Sequence, residues 1–239
     1  KTPLIYEKTW FDMKKNLVWD IPVRLFHWLL VLCLLGQWLT AEVLEDAMDI
    51  HFYIGYFTLG LIIFRLIWGF VGTKYAKFNS FMAGPKAILA YSKSVMSKQH
   101  TLSIGHNALG GLLLPAVIIL VGLQAISGLF TSDDIVFAGP YYEGANADLQ
   151  QWMQWLHHNI FNVLLGIIGL HLVAIGWYLI FLKHNLIRPM LDGKKTIAEK
   201  DSINHSQLIK AILIMCLVAI FVYWLVEINP PPIEDGYYY

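Results

Sequence analysis

Histidines placed inside apolar sequence are the residues here whose type and spacing could do chemistry. The stretch WLHHNIFNVLLGIIGLHLVAIGWYLIF, Trp155 to Phe181, is interrupted by His157, His158 and His171. It is long enough to cross a bilayer as one helix. An ionisable side chain at membrane depth is costly and marks a functional site by default. At about 100° per residue, the fourteen-residue step from His157 to His171 returns to within about 40° of the same helical face. At about 1.5 Å per residue, the two rings stand roughly 21 Å apart along the axis. The thirteen-residue step from His158 misses that face, so His158 turns to headgroups or a neighbouring helix. One helix therefore offers two imidazoles in one direction, near opposite membrane surfaces, as two haems stacked across a bilayer would require.

What must position these rings is a set of membrane helices. The 239 residues are 57% hydrophobic and 14% charged, with a mean hydropathy of +0.54. A soluble domain carries roughly a quarter charged residues, so the chain is a polytopic membrane protein. Five stretches can span: Ile21 to Val43, His51 to Val71, Asn107 to Phe130, Trp155 to Phe181 and Leu208 to Ile228. None alternates as a barrel strand does, so helices are expected. There is no repeat, no low-complexity tract and no soluble domain beyond loops and tails. The first span outruns a signal segment, ends in no A-x-A-like site and holds Arg24 and His27, so it reads as retained. Cys33 and Cys216 lie inside spans as small apolar filler. No C-x-x-C-H site is present, so any haem is held without thioether bonds.

Net charge is zero but strongly polarised. The amino-terminal tail carries Lys1, Lys8, Lys14 and Lys15, with Arg24 at the first span's mouth. The second connection carries Lys74, Lys77, Lys86, Lys93 and Lys98, and the fourth Lys183, Arg188, Lys194, Lys195 and Lys200. The first connection instead holds Glu42, Glu45, Asp46 and Asp49, the third Asp133, Asp134, Glu143 and Asp148, and the tail Glu227, Glu234 and Asp235. By the positive-inside rule the amino terminus is cytoplasmic and the carboxyl terminus outside. The acidic outer face either receives a basic partner or is simply a set of solvated loops.

That orientation sorts the buried imidazoles by depth. His27, in VWDIPVRLFHWLL, and His171 share the cytoplasmic level, whereas His51, in MDIHFYIGYF, and His157 share the outer one. Two imidazoles per level, with no cysteine or carboxylate beside them, do not complete a tetrahedral zinc site. They do complete the two axial positions of a haem. With both positions filled by protein, iron has none open for oxygen chemistry, and electron transfer is the expected task. Arg24, one turn before His27, and Arg65, fourteen after His51, could pair with propionates of the inner haem or snorkel to lipid phosphates. Gly55, one turn after His51, leaves room for a flat macrocycle or serves helix packing. His106, opening the third span, either bonds a propionate, moves protons with a quinone, or is a polar interface residue. His100, His184 and His205 fall in cytoplasmic connections and are expected to be solvated, and Pro115 is expected to kink the third span.

Taken together, VWDIPVRLFHWLL, HFYIGYFTLGLIIFRLIWGFVG, GHNALGGLLL and the two histidines fourteen apart resemble the prokaryotic cytochrome b561 family. That family includes the cytochrome b subunits of nickel–iron hydrogenases and related diheme membrane cytochromes. The resemblance covers roughly residues 18 to 185, with the flanking Arg-x-x-His-Trp and Arg-x-x-Trp-Gly in order. Where the family commonly has Thr-Gly closing the first span, this chain has Thr40-Ala41. The resemblance implies an all-α integral membrane protein of the bacterial inner membrane, its carboxyl terminus periplasmic. It implies a four-helix transmembrane bundle with two bis-His b-type haems, His27 and His171 on the inner one, His51 and His157 on the outer.

The domain plan is then a cytoplasmic tail (1–20), the diheme domain (21–185), a cytoplasmic connection (186–207), a fifth transmembrane helix (208–228) and a periplasmic tail (229–239). The fifth helix lacks histidine and serves packing or partner docking. The expected function is electron exchange between the quinone pool and a periplasmic redox partner, a c-type cytochrome or a reductase or hydrogenase subunit. Quinone is placed near His27, Arg65 and His106, and no nucleic acid is involved. The chain would be an electron-transfer subunit of an oxidoreductase complex. A stand-alone quinone oxidoreductase, for example one oxidising superoxide, is the alternative, and a non-redox membrane anchor the remoter one.

Overall fold

The protein's structure, a computed structural model, describes residues 13–96, 104–133 and 136–232. Lys1, Lys8, Lys98, His100, Asp134, Glu234 and Asp235 lie outside the described residues. The elements are β1 (Met13–Leu17), α1 (Ile21–Glu42), α2 (Met48–Val71), α3 (Pro85–Met96), α4 (Ala108–Gly128), α5 (Ala147–Ile180), α6 (Ile187–Asp192), β2 (Lys194–Ala198) and α7 (Leu208–Tyr223). A π turn, Trp224–Ile228, continues α7. Five of these helices are long and apolar enough to cross a membrane, the five spans expected from the sequence. The chain is therefore an all-α multi-pass membrane protein.

Helix starts follow from capping side chains. Asp20 ends the extended entry to α1, and its Oδ1 accepts the Val23 N–H at 2.7 Å. Asn107 does the same for α4 at Gly110 (2.7 Å), and Asn146 for α5 at Leu149 (2.9 Å). The Asn146 cap starts α5 eight residues before the expected Trp155, giving 34 residues. At about 1.5 Å per residue that is roughly 51 Å, longer than the hydrocarbon core, so α5 projects beyond it. Pro115 sits inside α4 without ending it.

Two connections are more ordered than loops. The basic tail and the fourth connection pair as an antiparallel ribbon, Met13 opposite Ala198 and Leu17 opposite Lys194. Gly193, at φ 78°, makes the entry to β2, and its carbonyl accepts the N–H groups of Val18 and Trp19. The second connection contains α3, tied down by a 2.8 Å bond between the Tyr91 and Tyr178 hydroxyls. Short charged strands and a single three-turn helix carry too little hydrophobic pattern to stand out in sequence.

The chain divides into two compact units. The first comprises residues 1–27, 65–116 and 170–212 and the second 28–64, 117–169 and 213–239, so each of the five long helices contributes to both. In the first unit, buried Asp20 is the central polar group. Its Oδ2 accepts from Trp68 Nε1 at 3.1 Å and from the Thr73 hydroxyl, joining α1 to the end of α2. Val18, Trp68, Ala76 and Ile197 are buried in the same unit. The core of the second unit is Leu61, Ile62, Val121, Leu164 and Val218. Gly60 lets α7 lie close on α2, with Val218 and Val222 side chains under 4 Å from where its Cβ would be.

Candidate haem sites

The second unit brings His51, in the first turn of α2, against His157, in α5. Their ring centroids are 6.3 Å apart and the planes cross at 72°. With a metal–imidazole nitrogen bond of about 2.0 Å and about 1.1 Å more to the ring centre, two rings across one iron have centroids roughly 6.2 Å apart. The observed pair meets that spacing.

Each ring is held by its other nitrogen. Thr40 Oγ1 donates to the Gly36 carbonyl at 2.8 Å and so accepts from His51 Nδ1–H at 3.1 Å. His157 Nδ1–H lies 2.9 Å from the Gln124 carbonyl and 3.1 Å from Ser127 Oγ. Both arrangements put the proton on Nδ1 and leave the Nε2 lone pair for a metal, the usual support of a ligating histidine. Around them is a cavity of about 720 Å³, lined by both histidines, Gly55 and Gly128, within the range of cofactor sites. A Cβ on Gly128 would approach His157 Cε1 to 3.0 Å, so glycine there lets the ring take its place. Among the described residues no three His, Cys, Asp or Glu side chains converge on one point. A tetrahedral zinc site is thus short of ligands, whereas a porphyrin asks only for two axial groups.

The first unit contains His27 on α1 and His171 on α5, both half-buried and within electrostatic range of each other. It also gathers the three further candidates. Arg65 is 1% exposed, which excludes the snorkelling alternative. Its Nη2 donates to the Ala76 carbonyl at 3.1 Å, and its guanidinium lies 5.2 Å from the Phe78 ring centre. Its Nη1 is buried with no acceptor. Arg24 Nη1 donates to the Leu191 carbonyl, and its buried Nε also lacks one. The His106 ring packs on Phe81 (4.4 Å) and Trp19 (4.6 Å), and its buried Nδ1 is unpartnered too. Burial first, then the charges of Arg65 and Lys195, push His106 down to about 3, so it is neutral at physiological pH. Burial brings Lys195 down to about 8. Buried donors without acceptors are costly. The two guanidinium donors in this unit fit a ligand bearing anionic oxygens, and haem propionates are such groups.

The remaining histidines separate cleanly. His158 is exposed, lines the cavity and donates from Nδ1 to the Gln154 carbonyl at 2.8 Å; its ring stands 6.3 Å from that of His157, but on the same helix rather than across from it. His205 is exposed, as expected, whereas His184 is half-buried rather than solvated, its N–H bound to the Tyr178 carbonyl. Thr40, Ser127, Asp20 and Lys195 were not legible as site residues. The hydroxyls lie eleven and thirty residues from the rings they hold, and nothing local distinguishes them. Asp20 had a signal, an aspartate just before Ile-Pro at a helix start, that indicates a cap.

No curated protein and no solved structure matches the chain. The family profile of prokaryotic cytochrome b561 matches residues 18–193, from just after β1 through Gly193. Five membrane helices, paired imidazoles and that match over most of the length agree: the chain belongs to the prokaryotic cytochrome b561 family, membrane cytochromes that bind b-type haem and transfer electrons.

Proposed function

We propose that the chain holds two b-type haems and passes electrons between the quinone pool and a redox protein on the outer, periplasmic side of the bacterial inner membrane. His51 and His157 ligate the outer haem, and His27 and His171 the inner one. Haem held there would supply reversible one-electron chemistry. The observation that carries the reading is the 6.3 Å separation of the His51 and His157 rings with both Nδ1 atoms already engaged.

The chain's own groups do the rest. Thr40, Ser127 and the Gln124 carbonyl fix the tautomers of the outer ligands. Arg65 Nη1 and Arg24 Nε offer charged donors to inner-haem propionates. Quinone binds close to His27, Arg65 and His106, where the neutral His106 imidazole with its open Nδ1 can exchange a proton at a quinone oxygen. On the outer side, exposed Glu42, Glu45, Asp46, Asp49, Glu143 and Asp148 form a face that favours a locally basic partner, such as a c-type cytochrome or an oxidoreductase subunit. The basic connections support an amino terminus in the cytoplasm.

The test is haem quantification in purified membranes for the wild type and His171→Ala. About two haems per chain should fall to one, with a low-spin spectrum retained from the His51–His157 site. Full retention of both haems in the variant would refute the ligand assignment.

A further inference from the structure

α7 has no histidine, yet its end is bound to the outer haem site by a specific clasp. In the closing π turn, the Asn229 N–H bonds the Trp224 carbonyl at 2.9 Å. In that register the Leu225 carbonyl needs a donor at residue 230, which is proline and has none. Tyr141 supplies it. Its hydroxyl donates to the Leu225 carbonyl at 2.8 Å and accepts from the Asn229 side-chain amide at 3.0 Å. Three residues further on, Gly144 touches Pro231 so closely that a Cβ would lie 2.3 Å from Pro231 Cγ. The Asn229-Pro230-Pro231 cap thus grips the third connection at two points.

That connection forms one wall of the outer cavity, through Leu129, Thr131, Ser132 and Asp133. Tyr141 N–H bonds the Leu129 carbonyl at 2.9 Å, and Gly139 N–H the Thr131 carbonyl at 2.8 Å. The Tyr141 ring packs on Phe130 at 5.6 Å, and Phe137 on Phe52, the neighbour of His51, at 6.5 Å. Ser132 and Gln154 exchange two longer bonds, 3.4 and 3.3 Å, one turn before His157.

We propose that Tyr141 is a positioning residue for the outer haem. Fixed by the α7 cap, it holds this wall against the cavity, limits water at the haem edge and thereby sets the reduction potential. Water entry favours the more highly charged ferric state, so loosening the wall lowers that potential. The proposal rests on His51 and His157 being the outer ligands.

The experiment uses the full chain with its haems, comparing wild type, Tyr141→Phe, Gly144→Ala and, as a control, Tyr223→Phe, whose side chain is 62% exposed on α7. Amide exchange is followed over 129–133 and 136–142, and both haem potentials are titrated. Losing both hydroxyl bonds and leaving the Leu225 carbonyl unmatched should raise exchange in those segments roughly tenfold. One haem should titrate at lower potential while the other stays fixed. Gly144→Ala displaces Pro231 without altering Tyr141 and should act in the same direction, whereas Tyr223→Phe changes neither. Unchanged exchange in both variants overturns the clasp. Faster exchange with both potentials unmoved, or both moved alike, overturns the positioning role. A wild-type content of one haem would instead refute the ligand reading, and the exchange result would still judge the clasp.

Discussion

Removing the hydroxyl behind His51 should raise the potential of the outer haem, and by more than removing the one behind His157. An acceptor on Nδ1–H draws the proton partly off the ring, making the imidazole a stronger donor that stabilises ferric iron. Thr40→Val keeps the buried side chain's shape while deleting the 3.1 Å bond. Such a bond is worth roughly 0.5–1.5 kcal/mol. If all of it were lost on reduction, a one-electron potential would rise by roughly 20–65 mV, since 59 mV is tenfold. In Ser127→Ala the His157 Nδ1–H still has the Gln124 carbonyl at 2.9 Å, so the rise should be less than half as large. Redox titration of the haem absorption band in membranes resolves both. A fall in potential, a shift confined to the inner haem, or a larger effect from Ser127→Ala than from Thr40→Val would refute the reasoning.

Two further outcomes concern the first unit. Arg65→Met deletes a buried cation bonded to Ala76 and lying near the Phe78 ring, and with it the donor proposed for the inner-haem propionates. Haem retention should drop below two per chain, and Arg65→Lys should restore it only partly, because a point charge lacks the guanidinium fork. Haem analysis of purified protein reads this, and full occupancy in Arg65→Met would exclude the role. His106 gives a pH signature. Its folded value of about 3 lies below the unfolded 6.5, so between these the unfolded chain binds more protons. The contribution is fully present above pH 6.5 and is lost as pH falls toward 3, by at most about 1.4 kcal/mol per pH unit. Thermal melting across about pH 4 to 7 should be flatter in His106→Phe, and identical slopes would contradict the burial seen here.

The spans were legible because their signal is one-dimensional: hydropathy counts the helices. The fourteen-residue step that puts His157 and His171 on similar faces of one helix is of the same kind, and it is what the proposed ligand assignment starts from. The supports were not legible, because they depend on which helices adjoin. Thr40 and Ser127 look like any small polar residue near a span's end. Arg65 could be read either as reaching lipid or as facing inward, and only its burial, with Ala76 and Phe78 beside it, decides. The ribbon was hidden for another reason. MKKNL and KKTIA are short and basic, and their pairing spans some 180 residues, a distance no local pattern encodes. The Pro230 that ends α7 was visible, but that it orphans Leu225 follows only from the π register.

The two sites differ in what surrounds the rings, and that difference bears on where electrons rest. Behind His51 and His157 stand acceptors, and the cavity lining includes Glu42 and Asp133 but no lysine or arginine. In the unit that contains His27 and His171, Arg65 and Arg24 have unmatched donors, and Lys195 is close enough to act on His106. Acceptors and carboxylates favour the oxidised, more positive state, whereas buried cations that neutralise propionates disfavour it. On the proposed ligand assignment, the inner haem should therefore be the higher-potential one. The His171→Ala variant that tests the ligands also tests this ordering: titration should lose the upper of two steps. Were the lower step to vanish, the charges around Arg65 would be compensated by something other than propionates, and the expected ordering of the two potentials would reverse.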